Sequence, residues 1–261
     1  MIKTLGRCIN KVLRIVNLRV LPQDKYEEIY FQSRFYWNDP FLELLKHPKE
    51  LISLVPKSRS QVRQDLFAIS ELDFKKKGFF VEIGAQDGIS GSNTYMLETE
   101  FDWNGIVVEP SRTYETILLE NRKCQIENSA IWSETGITFL FADLGHSGLS
   151  SLKNFMGEGI HGKTRSESDF HEYEVKTLSL NDLLQKHDAP KIIDYLSIDT
   201  EGSEYEIIEK FDFNKYDVRV LTIEHNYEES QRKKIYEKLI NAGYTRKYSE
   251  ISHQDDWYVK I

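Results

Sequence analysis

The chain has 261 residues, 40% of them hydrophobic and 29% charged, with a formal net charge of −8. That is room for one large α/β domain and a short appendage. Fourteen glycines and six prolines are too few for a disordered chain, no apolar run reaches the ~20 residues that span a bilayer, and the acidic balance excludes a general affinity for nucleic acid.

Cys8 and Cys124 can build neither a disulfide framework nor a zinc cluster, so a reducing, cytoplasmic setting is expected. Residues 1–21 hold Lys3, Arg7, Lys11, Arg14 and Arg19 and no acid. Ile2, Leu5, Ile9, Val12, Leu13 and Val16 recur at steps of three and four, which predicts a basic amphipathic helix over 2–20. Such a helix either makes a peripheral contact with the inner face of an anionic membrane or folds back on its own domain. The following residues are rich in aromatics and broken by Pro40, Pro48 and Pro56. They read as short helices, completing a helical extension over 1–57.

The second domain is expected over 58–261. Apolar runs at 79–83, 105–109, 125–131, 192–198 and 218–223 have the signature of buried strands, and helix-like stretches at 92–100, 113–120, 203–210 and 227–242 follow four of them. Strands alternating with helices predict an open, mostly parallel α/β sheet covered on both faces, with ligands at the strand C-termini. Residues 244–250 and 257–261 read as a closing antiparallel pair. Residues 144–172 carry five glycines and His146, His161 and His171. The histidine spacings match no compact zinc motif, so this segment reads as a substrate-gating loop.

The first strand runs into Glu82-Ile83-Gly84-Ala85-Gln86-Asp87-Gly88. Gln86 stands where a dinucleotide fingerprint requires glycine, which argues against a nicotinamide cofactor. Glu109 closes the second strand about 20 residues beyond the turn, where a carboxylate can accept both ribose hydroxyls. Glu82 and Asp87 suit a cationic ligand. A sulfonium carrying an amino acid, S-adenosylmethionine, satisfies all three features.

These stretches, with Ser92-Asn93-Thr94, Gly105-Ile106-Val107-Val108-Glu109-Pro110, Ser60-Gln61 with Gln64-Asp65, Gly148-Leu149-Ser150-Ser151-Leu152 and Ile198-Asp199-Thr200-Glu201-Gly202-Ser203-Glu204, resemble the FkbM-type S-adenosylmethionine-dependent methyltransferases over about residues 58–250. The resemblance implies a class I methyltransferase (Rossmann-like) fold and O-methylation of a hydroxyl on a sugar, glycan or related metabolite. It implies that Glu82, Gly84, Ala85 and Gly88 line the methionine half with Asn93 nearby. Glu109 takes the ribose and Ser129-Ala130 flank the adenine. Gln64 and Asp65 either close over the cofactor or cap a helix. Gln86, where the family often has Asn, is a mild departure.

Removing a proton from the acceptor falls to groups at the ends of the last two parallel strands: Asp199 and Glu201, then Glu224, His225 and Asn226. His225 or Asp199 is the candidate base. Glu201 is a third catalytic candidate or a helix cap, and Asp199, Glu201 and Glu224 together are the oxygen ligands Mg²⁺ prefers. The competing functions are an inactive methyltransferase-like adaptor at a membrane and an N-methyltransferase.

Overall fold

A computed structural model describes residue 42 and residues 44–261; the basic helix expected over 2–20 lies outside them. The chain divides into two compact units, Met1–Pro56 and Lys57–Ile261. Within the described part of the first, one helical turn, Pro48–Leu51, opens on proline, whose missing N–H costs nothing at a helix start. Among the described residues no helix is long and apolar enough to cross a membrane.

The second unit opens with α1 (Gln64–Glu71), followed by β1 (Phe79–Ile83), α2 (Tyr95–Phe101), β2 (Asn104–Val108), α3 (Glu115–Asn121) and β3 (Gln125–Glu127). After an insertion come β8 (Ile192–Ile198), α6 (Glu204–Glu209), β9 (Asp217–Glu224), α7 (Glu229–Asn241), β10 (Tyr244–Lys247) and β11 (Asp255–Lys260). The insertion contributes β4 (Ala130–Trp132), β5 (Thr138–Asp143), β6 (Ser151–Leu152), α4 (Gly162–Glu167), β7 (His171–Ser179) and α5 (Leu180–Lys186).

Seven strands form one sheet in the order β10-β11-β9-β8-β1-β2-β3. The five from β9 to β3 are parallel, and β11 and β10 add on antiparallel. This is a doubly wound, Rossmann-like sheet. β1 and β8 are near-continuous apolar runs because helices cover both faces of the sheet. Val81, Ile83, Leu196 and Ile198 pack in one core with Leu183 of α5, Ile207 of α6 and Leu239 of α7. The chain moves outward from β1 through β2 to β3, then returns to lay β8 on the other side of β1. The order therefore reverses between β1 and β8, which opens a crevice at their carboxyl ends.

Two expectations need correction. The run 125–131 is not one strand: β3 belongs to the main sheet and β4 to a second, four-stranded sheet ordered β4-β7-β5-β6. The break falls at Asn128-Ser129, where the Glu127 carboxylate accepts both the backbone N–H (3.0 Å) and the hydroxyl (2.8 Å) of Ser129 and turns the chain. Nor is 144–172 structureless, because it holds β6, α4 and the start of β7. The small sheet has its own core of Ala130, Phe141, Leu152 and Val175, flanked by Trp132, Phe139 and Phe155.

Candidate active site

Glycine at position 84 is dictated by contact. Its φ is +92°, and a Cβ there would lie 1.8 Å from the main-chain oxygen of Asp199. The turn after β1 thus packs directly on the end of β8, with the Asp199 N–H donating to the Ile83 carbonyl at 3.0 Å. Several non-glycine residues at the same sheet edge also hold left-handed backbone: Gln86 after β1, Glu201 after β8, and Asn226 and Tyr227 after β9. Such conformations persist only where their surroundings impose them, and they gather at functional sites.

Two cavities meet at this turn. The larger, of about 590 Å³, is lined by Val108, Glu109, Tyr114, Ala130, Ile131 and Phe141, and by Asp199 and Glu201. The smaller, of about 280 Å³, is lined by Gln61, Glu82, Ala85, Ser92 and Asn93. Ile83, Gly84, Gln86 and Asp199 border both. A mostly apolar chamber joined to a polar one suits a ligand with an aromatic base at one end and an amino acid at the other.

At the sugar position, Glu109 is buried and its two oxygens accept the backbone N–H groups of Gln86 and Ser111, each at 2.8 Å. Burial raises its carboxyl to about 7 against those two hydrogen bonds, with the nearby Asp143 charge adding to the rise. Asp143 itself is held below its usual range, despite burial, by donors that include the Tyr173 and Ser111 hydroxyls. A carboxylate has about four acceptor positions, so Glu109 keeps capacity for two ribose hydroxyls.

In the polar chamber Glu82 accepts from the Ser92 hydroxyl, the Asn93 N–H, the Thr94 hydroxyl and Arg122. Its role is to fold the 92–94 loop toward the chamber. Asn93 donates its amide to Ser197 at 2.9 Å, while its Oδ1 is buried without a partner. Leaving a buried acceptor unpaired is costly, and an ammonium group would satisfy it. The residues present therefore fit S-adenosylmethionine at both ends.

The other assigned cofactor residues divide. Ala85 and Asn93 line the smaller chamber, and Ala130 lines the larger. Gly88, with φ +79°, supports the turn from behind, since a Cβ would strike Arg122 and Leu118 at 2.7 Å. Ser129 borders a separate surface groove with Arg112 and Tyr173 and does not line the larger chamber that Ala130 lines. Gln64 and Asp65 do not line either chamber. Gln64 donates to Asp255 at 2.7 Å, and Asp65 gathers the Ser58 and Ser60 hydroxyls at the start of α1. Gln61, four residues before Asp65, is the member of that segment on the chamber wall. Gln86 also proves to be a joint, its side chain donating to the Gly148 carbonyl of the insertion at 3.4 Å.

At the chemistry end one oxygen each from Asp199, Glu201 and Glu224 lies within 4.8 Å of the others. Burial pushes the Asp199 and Glu224 carboxyls well up, and the charges of neighbouring acids push further. Glu201 is raised to about 7 by burial, against the pull of Arg165. Arg165, reaching in from α4, meets Glu201 at 2.5 Å, and the Asn226 amide donates to Glu224 at 2.6 Å and Glu201 at 3.3 Å. Glu201 does not cap α6, whose N-cap Ser203 makes no side-chain cap hydrogen bond; Glu204 accepts the N–H groups of Thr200 and Gly202 and holds the turn in shape.

His225 is not on the wall of either chamber. Its ring is buried, with Nδ1 accepting the Tyr227 N–H at 3.0 Å and Nε2 lying 3.9 Å from Asp256. Burial lowers its basicity, so the ring is neutral with its proton on Nε2, where it can donate but not accept.

No curated protein matches the chain. Among solved structures it is similar to a precorrin-6y methyltransferase from Geobacter metallireducens, at 13% identity and a TM-score of 0.37 over 75% of this chain and 85% of that one. It is also similar to a protein from Pyrococcus horikoshii described as an RNA methyltransferase, at 12% identity and 0.38 over 93% and 100%. Residues 82–246 match the Methyltransferase FkbM domain, from the glutamate of β1 to the penultimate strand of the sheet. The chain belongs to the FkbM methyltransferase family, whose activity depends on S-adenosylmethionine.

Proposed function

We propose that this chain methylates a hydroxyl of a sugar, glycan or related acceptor, with Asp199 as the base. The observation that carries the reading is the position of Asp199: it borders both chambers at the end of β8, with an oxygen within 4.8 Å of one from Glu201 and one from Glu224. When bound, S-adenosylmethionine supplies an electrophilic methyl group on a sulfonium. An ordinary aspartate is a poor match for an alcohol proton, and raising its pKa narrows the gap. The nearby acids, Glu201 foremost among them, raise the affinity of Asp199 for a proton beyond what burial alone gives. Arg165 and Asn226 compensate the remaining charge on Glu201 and Glu224. The acceptor class rests on what members of the family commonly methylate.

A second reading uses the same three carboxylates as a Mg²⁺ site, favoured by their mutual distance of 4.8 Å or less. It ranks below the first because Arg165 and Asn226 already engage two of them. The test is release of S-adenosylhomocysteine with a panel of methyl glycosides, in EDTA and in Mg²⁺. Asp199→Asn is expected to lose about 10²–10⁴ in turnover while its calorimetric affinity for S-adenosylhomocysteine stays unchanged. Full turnover in that variant would remove Asp199 as base, and abolition of wild-type turnover by EDTA would promote the metal reading.

A further inference from the structure

With the cofactor's base in the larger chamber and its amino acid in the smaller, both spaces that Asp199 borders are taken. The acceptor must then arrive past Glu201, and that side is shut. The space bordered by Glu201, Arg165, Gly159 and Asn226 has room for about one water molecule. What closes it is the insertion, through the stretch around α4.

This stretch is tied to itself more firmly than to its surroundings. The Arg165 guanidinium donates to the Phe155, Met156 and Glu158 carbonyls, and the Ser166 hydroxyl donates to the Gly162 carbonyl. Gly162 also packs main chain to main chain on Gly157, leaving no room there for a Cβ. Among the described residues, the Arg165–Glu201 ion pair is the one hydrogen bond or ion pair that joins 156–167 to the chain outside 153–168. Over the turn after β9 the stretch rests on a glycine: a Cβ on Gly159 would lie 3.1 Å from the Asn226 Cβ. No side chain of Gly159 interlocks at that seat. Closure also has a cost, because Asn226 Oδ1 and Gln231 Oε1, on residues that border the closed space, are buried without hydrogen-bond partners. Lifting the stretch would hydrate both oxygens.

We propose that residues 156–167 are a gate in its closed position, which lifts as one body to admit the acceptor, with the Arg165–Glu201 ion pair as its latch. The assignment rests on the methyl-transfer reading above. Arg165 is then a positioning residue, which decides when the catalytic carboxylates can be reached and takes no part in moving the proton.

A reporter thiol at the catalytic end tests this. Ser203→Cys, close to isosteric, places one on the wall that Ser203 shares with Glu201 and Asp199, in a Cys8→Ser background. The probe is a methanethiosulfonate carrying glucose, added to protein loaded with S-adenosylhomocysteine. Cys124, a free and buried thiol, is the internal clock for global unfolding. The reporter is expected to label at least about tenfold faster than Cys124, because local opening is easier than unfolding. Arg165→Met removes the latch and is expected to raise the ratio of the two rates roughly tenfold. Gly159→Ala leaves the ion pair in place but forces a methyl against Asn226, and is expected to raise the ratio about threefold. It keeps the test valid should Arg165→Met fail to fold. Equal rates at the two thiols, or a ratio that no folded variant moves, would overturn the gate and leave the methyltransferase reading standing. Failure of S-adenosylhomocysteine to bind, read by calorimetry, would remove both.

Discussion

As the proposed ribose acceptor, Glu109 ties cofactor binding to pH. Its carboxyl lies at about 7 instead of 4.5, and only the ionised form presents all of its lone pairs to the ribose. Affinity for S-adenosylhomocysteine is therefore expected to weaken as pH falls through 7, by up to about tenfold per pH unit. Glu109→Gln is expected to bind weakly at pH 8 and to show no such slope; calorimetry at pH 6, 7 and 8 measures both. Glu109 and Asp199 were legible in the sequence because an acid at the end of an apolar strand has few structural uses. Gly84 was legible for its left-handed turn. Gln61, Arg165 and the partnerless atoms of Asn226 and Gln231 were not. Their roles depend on which segments meet across the strand ends, and residue type does not encode that. His225 stands off both chamber walls for the same reason: its sequence position is at the strand end, but its Nε2 lies 3.9 Å from Asp256.

The helix α4 acts as a clasp. Arg165 is almost wholly buried and binds the Phe155, Met156 and Glu158 carbonyls as well as Glu201. One side chain thus closes the loop on itself and fastens it to the turn after β8. Arg165→Leu leaves Glu201 buried without its cation, a change that typically costs about 3–5 kcal/mol. The expected result is faster cutting after Glu158 or Glu167 by a glutamate-specific protease, together with a lower melting temperature. Unchanged digestion would mean that the insertion is held by its small sheet alone. That sheet escaped the sequence reading. β5 and β7 mix exposed and buried positions along their length, so neither forms the unbroken apolar run that marked β1, β8 and β9. Five glycines between them suggested a loop instead. The main sheet was legible nearly to its ends because strands buried on both faces leave little freedom in composition.

Across the molecule, acids dominate both the surface and the buried site. Glu109, Glu201 and Asp255 titrate near 7 when folded, against 4.5, 4.5 and 3.8 ordinarily. Between those values the folded chain binds more protons than the unfolded one, so stability falls as pH rises from about 4.5 to 7. The raised carboxyls of Asp199 and Glu224 act in the same direction. Glu127 works in the opposite sense: the hydrogen bonds from Lys186, Ser129 and His187 overcome burial and lower it to about 2, so its contribution disappears as pH falls below 4.5. Melting temperature is expected to peak near pH 5 and to decline steadily to pH 8 in ligand-free protein. A maximum above pH 7 would show that the buried acids are compensated by something other than protons.

The contact between Gly84 and the Asp199 carbonyl has one more consequence. Main chain meets main chain there, so no rotamer can lengthen or shorten the interval between the turn after β1 and Asp199, the residue proposed to receive the proton. Natural variation has almost no purchase on that interval. Change in what the enzyme modifies must be written where side chains still have latitude, in the segment between β3 and β8 and in the first turn of α7. A chimera that exchanges those two stretches would inherit a new appetite while keeping the old reaction.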